Sequence, residues 1–185
     1  MNWRNTSKRY GCLSVGLHWL TLLLMAAVYA FVELHELFPK DTPERAFMMY
    51  AHFSLGLLVM VLTLARLGLR WSAPTPRIEP PIPHWQAVFS QLVHGLLYLL
   101  LLGLPLVGWM MVSASGRPVL FFGIELPALL DSNRALSKLL KEVHETIGTL
   151  GYALIALHAA AALVHHYVMH DNTLTRMLPW RREHS

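Results

Sequence analysis

Four stretches of apolar sequence decide what this chain can become. They cover about 13–31, 48–69, 87–112 and 143–168, and none has an Asp, Lys or Arg at its centre. A membrane-crossing helix needs about 20 such residues, so each stretch is long enough to span. The rest of the composition agrees. Of 185 residues, 55% are hydrophobic and 14% are charged, whereas a soluble domain carries about 25% charged residues. A single cysteine, Cys12, excludes a disulfide scaffold. The net charge of +4 invites no nucleic-acid partner, because the cations are too few and too scattered to follow a phosphate backbone. The partner is the lipid bilayer.

The expected fold is therefore an all-α membrane protein, a four-transmembrane-helix bundle forming one domain over residues 1–185. The first span has no small-residue cleavage site after its apolar run and continues into Glu33-Leu34-His35-Glu36, so it is expected to stay in the membrane. With four spans both termini share a side. That side holds Arg4, Lys8, Arg9, Arg66, Arg70, Arg77, Arg176, Arg181 and Arg182; the other holds Lys40, Arg45, Arg117, Arg134, Lys138 and Lys141. The positive-inside rule then puts both termini in the cytoplasm. The link from Trp71 to Trp85 carries Pro74, Pro76, Pro80, Pro81 and Pro83 and should be extended. On the outer side, Leu136, Leu139 and Leu140 share a helical face behind Asp131 or Ser132 as a cap. A short amphipathic helix over 132–142, lying on the periplasmic surface, is expected.

Eleven histidines in so apolar a chain are the feature left to explain. Ionisable groups inside spans are costly and mark function. His18, His52, His94, His144 and His158 lie within the spans, with His165 and His166 near the end of the last one. His35, His84, His170 and His184 fall in loops or tails and read as solvated imidazoles. His144 and His158 are fourteen residues apart, nearly four turns, so they share a face about 21 Å apart along the helix. The topology puts His52 at the depth of His144, towards the outside, and His18 at the depth of His158, towards the cytoplasm.

Neither pair has the four ligands that zinc wants. Haem iron takes four from its ring and two from the protein, so a histidine pair on facing helices completes it. No Cys-x-x-Cys-His is present, so attachment is non-covalent and the haems are b-type. Gly56, Gly95, Gly148 and Gly151 offer flat space beside these helices, or only let the helices pack closely. Depth alone does not exclude His94 as the partner of His18. As a spare it would hydrogen-bond a haem propionate or a quinone carbonyl. His165, two turns beyond His158, and Arg9 at the cytoplasmic side are further candidates for those contacts.

The runs Leu17-His18-Trp19, Ala51-His52-Phe53-Ser54-Leu55-Gly56, and His144-Glu145-Thr146 to Gly151-Tyr152 resemble the bacterial cytochrome b561 family. So does the tail Leu157-His158-Ala159-Ala160-Ala161-Ala162-Leu163, His165-His166-Tyr167 and Asp171-Asn172-Thr173-Leu174. The resemblance covers the chain from Tyr10 to Pro179. The tail looks like that of di-haem inner-membrane members that pass electrons from superoxide to ubiquinone. It implies two haems b, with His18 paired to His158 and His52 to His144. It leaves His94 without iron.

A haem held by two histidines has no open position and suits electron transfer. The resemblance implies periplasmic superoxide as donor and ubiquinone as acceptor. A small anion is drawn by local positive charge, which makes Arg45, Arg117, Lys138 and Lys141 candidates along its approach. An alternative is a cytochrome b anchor that works with a redox partner protein, a periplasmic dehydrogenase or hydrogenase. A further alternative is a non-redox helical membrane protein, which predicts no haem.

Overall fold

The computed structural model describes residues 3–7 and 9–179. Lys8, Arg181 and Arg182 of the charge count, and His184, lie outside the described residues. Four helices carry the fold: α1 Cys12–Leu34, α2 Pro43–Ser72, α3 His84–Ala114 and α4 Arg134–Tyr167. Each is long and apolar enough to cross a membrane. All four expected spans are present, and all begin earlier than their apolar stretch. The sequence signals for the ends are local. Thr42 accepts from the Arg45 N–H and Pro43 opens α2, with Glu44 in its first turn and Arg70 in its last, the charges a helix dipole favours. Asn5 accepts from the Gly11 N–H and the Ser14 hydroxyl at the start of α1. Trp3 and Arg4 cross Gly11 so closely that a Cβ there would collide with their backbone.

The segment after Gly116 departs from expectation twice. There is no separate surface helix over 132–142. Asn133 caps the Leu136 N–H at 3.0 Å, and α4 then runs unbroken for 34 residues, about 51 Å at 1.5 Å per residue. The amphipathic turns with Leu136, Leu139 and Leu140 are the first turns of the fourth span. Nothing between Glu142 and His144 stops a helix, since a change from one-sided to all-round apolarity requires no break in the backbone. The chain is also not wholly helical. Val119–Phe121 (β1) pairs antiparallel with Ile124–Leu126 (β2). Phe122 (φ 48°) and Gly123 (φ 85°) form its two-residue turn, and such turns need positive φ at both positions.

Helix α1 packs chiefly on α2, α3 on α4, and α2 on α3. Leucines and valines such as Leu23, Leu99, Leu150 and Val168 face outward, as a lipid-facing surface does. The proline link, 73–83, is free of helix. It is clasped to both chain ends: Arg77 N–H to Ser7 carbonyl (3.4 Å), Asn172 N–H to Glu79 carbonyl (3.0 Å), and the Arg176 guanidinium to Pro76 carbonyl (2.5 Å). The Trp19 indole N–H reaches the Met177 carbonyl at 2.6 Å. Both chain ends and the proline link thus share the terminal end of the bundle, while the hairpin and the start of α4 share the other.

Candidate haem site

The antiparallel helices bring the span histidines together at two levels. At the hairpin level His52 on α2 faces His144 on α4, with ring centres 6.2 Å apart. At the terminal level His18 on α1 faces His158 on α4, with ring centres 6.3 Å apart. Imidazole nitrogens bind metals at about 2 Å, and a ring nitrogen lies roughly 1.1 Å from its ring centre, so two imidazoles on opposite sides of one iron stand about 6.2 Å apart. Both pairs have that separation. His94 on α3 is in the terminal cluster, but its ring centre is 5.2 Å from that of His158, too short for the two to lie across one iron. Among the described residues no three His, Cys, Asp or Glu side chains gather as a metal site, so the donor set fits a group that brings its own equatorial ligands.

Second partners orient the rings. His52 Nδ1 is 2.9 Å from the Val28 carbonyl on α1. A carbonyl only accepts, so that nitrogen carries the proton and Nε2 is left for a metal. His94 Nδ1 likewise donates to the Ser90 carbonyl at 2.6 Å. His144 sits against Gly108 of α3, where a Cβ would approach its Cε1 to 3.2 Å. The glycines divide. Gly56 and Gly95 have no protein atom within 4 Å of a Cβ position, which leaves flat room beside their helices. Gly151 has none to spare: Tyr29 and Leu100 fill it, and the Tyr29 hydroxyl donates to the Gly148 carbonyl at 2.8 Å. Here the glycine serves helix packing.

The other candidates scatter. His165 donates to buried Asp171, Nδ1 to Oδ2 at 2.5 Å, beyond the end of α4. Arg9 is exposed, and its backbone closes a turn with Thr6. Arg45 donates to the His35 and Phe38 carbonyls at 3.1 and 3.0 Å, tying down the chain after α1. Exposed Arg117 reaches the Ser115 hydroxyl at 3.0 Å. Lys138 and Lys141 pair with Glu142 and Glu145 one turn on.

Two groups escaped the sequence reading. Arg66, counted there as a surface cation, lies inside α2 and donates to His18 Nδ1 at 3.1 Å. Its signal was present: it follows His52 by the same fourteen residues that separate His144 from His158. Asp171 is 5% exposed. Burial alone would raise its carboxyl, but hydrogen bonds from His165 and Thr173 outweigh that and hold it below the ordinary carboxylate range.

Comparison with known proteins gives the family. A family model described as prokaryotic cytochrome b561 matches residues 9–180. The chain is 40% identical to cytochrome b561 homolog 1 of Escherichia coli K12, over 94% of this chain and 99% of that one. It is 36% identical to a probable superoxide oxidase, CybB, of Yersinia pestis, over 95% and 98%. It is 30% identical to cytochrome b562 of Cereibacter sphaeroides, over 91% and 94%.

Proposed function

The chain belongs to the prokaryotic cytochrome b561 family of multi-pass membrane haem proteins, and from that premise we propose that it carries two haems b and passes electrons from superoxide to ubiquinone. The observation that carries this reading is the pair of histidine pairs, at 6.2 and 6.3 Å, on two levels of one bundle. His52 and His144 hold one haem, and His18 and His158 the other. The relative from Yersinia, a probable superoxide oxidase, supports the choice of donor.

Each haem supplies reversible one-electron chemistry. Two histidines per iron leave no position for oxygen to bind, which restricts the protein to moving electrons. Two superoxide ions each give up one electron and leave as dioxygen. Ubiquinone takes those two electrons with two protons and leaves as ubiquinol. In this reading both termini face the cytoplasm of a bacterial inner membrane, as the Lys and Arg distribution favours. The terminal level is then the quinone side. His165 and Asp171 lie at that end and hold a proton between them, close to where a reduced quinone needs one. Arg9 and His94 belong to the same end, His94 in contact with His158.

The test is direct. Purified protein should contain two haems per chain by pyridine haemochrome, with reduced spectra of low-spin b type. A steady superoxide source should reduce it, and ubiquinone should reoxidise it to yield quinol. Failure of superoxide to reduce either haem, with ready reduction by quinol, would transfer the chain to the anchor class that serves a dehydrogenase or hydrogenase. Absence of haem would overturn the di-haem reading itself.

A further inference from the structure

We infer that Arg66 binds a propionate of the haem held by His18 and His158, and so holds that haem's charge and potential. This rests on the di-haem reading above. Arg66 lies within a span, six residues before the end of α2, on the level of the terminal histidine pair. A guanidinium there is costly unless an anion meets it. Among the described residues no Asp or Glu pairs with it; the ion pairs formed are those of Lys138, Lys141 and His165. Asp171, the buried carboxylate of that end, is engaged by His165 and Thr173.

The contact Arg66 does make identifies its partner. Its guanidinium nitrogen donates to His18 Nδ1 at 3.1 Å. Arginine has no acceptor, so His18 Nδ1 must offer a lone pair and its one ring proton sits on Nε2. Once Nε2 binds iron, the proton belongs on Nδ1, which then donates and no longer accepts. The same event that makes His18 a ligand deprives Arg66 of its acceptor. A haem at this level would also bring two propionate carboxylates to the end of the bundle where Arg66 lies, and they would be the anions available to it. Arginine binds a carboxylate through two parallel hydrogen bonds. With the haem bound, Arg66 would pair with a propionate in place of the imidazole.

Potentiometric titration of the purified holoprotein tests this, with wild type, Arg66→Met and Arg66→Lys compared. An unbalanced propionate favours ferric iron. Arg66→Met should make one haem about tenfold harder to reduce, which is 59 mV for one electron, and leave the other unmoved. Arg66→Lys, which keeps the charge, should recover most of the shift. Resonance Raman should show a changed propionate bending mode in Arg66→Met, a signature that mere loosening of α2 would not give. Loss of one haem from Arg66→Met, with both retained in Arg66→Lys, also supports the assignment. If Arg66→Met keeps both haems, both potentials and the propionate mode, the assignment is overturned. If the wild type itself lacks a second haem, the failure lies with the di-haem reading instead.

Discussion

An imidazole that binds iron through one nitrogen has a second to satisfy, and three of the four paired histidines differ in what that nitrogen meets. His52 donates to a carbonyl on the neighbouring helix, His18 meets an arginine before iron is bound, and His144 Nδ1 is buried beside the Leu104 carbonyl without a well-formed hydrogen bond. Those second contacts were beyond the sequence, because each joins residues far apart in the chain. The pairs themselves were legible, from depth and a fourteen-residue spacing, but His94 was not separable from His18 by depth. The 5.2 Å between the His94 and His158 rings is what separates them. His52→Ala and His144→Ala should lose the same haem, His18→Ala and His158→Ala the other, and His94→Ala should keep both. Haem stoichiometry and redox titration of the five variants check this; a haem lost from His94→Ala but kept in His18→Ala would reverse the assignment.

Asp171 makes a different prediction at the same scale. Its carboxyl is held below its ordinary value, so the stability it contributes is complete above the usual carboxylate range and is lost as pH falls through the lowered value. Hydrogen bonds to a charged group are worth about 1.5–3 kcal/mol, and Asp171→Asn should cost about that much at neutral pH. Thermal unfolding in detergent, followed by tryptophan fluorescence, should show the gap between the two proteins closing only below about pH 4. A gap that persists unchanged into stronger acid would mean that the carboxylate charge is not what holds the clasp.

Among the elements, what the sequence states and what it hides follow from local chemistry. The four spans are written in composition, and the helix starts in Thr42-Pro43 and Asn133. The hairpin is hidden because Phe122 occupies a left-handed position where Asn, Asp or Gly would have announced a turn. The continuity of α4 is hidden because its outer turns carry charges that read as a surface element. Contact between elements is equally silent in sequence: Gly108 of α3 is one more residue in an apolar run until His144 is placed against it. A Cβ at 3.2 Å from the imidazole forces the ring to give by a few tenths of an ångström. Gly108→Ala should therefore alter the absorption and potential of the haem at the hairpin level and leave the other as in wild type. Equal changes in both haems would show that the substitution acts on the bundle as a whole.

For the whole molecule, on the proposed reading with superoxide as donor, the question is how an anion reaches the hairpin level. The four cations proposed for its approach differ in how far their charge is offset. Lys138 and Lys141 each have a glutamate one turn along α4, Arg45 is held in place by the carbonyls after α1 with its charge unpaired, and Arg117 is exposed near Ser115. Exposed pairs one turn apart contribute little energy, and each pair looks nearly neutral from a distance. Superoxide capture should then depend on short-range approach to the haem edge more than on long-range steering. Raising the ionic strength from about 0.01 to 0.15 M shortens the screening length from about 30 Å to about 8 Å. A strongly steered reaction would slow by an order of magnitude or more over that range; here the rate of haem reduction by superoxide should fall by about twofold or less. Lys138→Ala and Lys141→Ala should each slow it slightly, and Glu142→Gln together with Glu145→Gln, which free both lysines, should speed it and steepen its salt dependence. Stopped-flow reduction at the two ionic strengths decides the matter. A wild-type rate that collapses with salt, or a glutamine pair that leaves the rate unchanged, would mean that the approach runs through charges other than these.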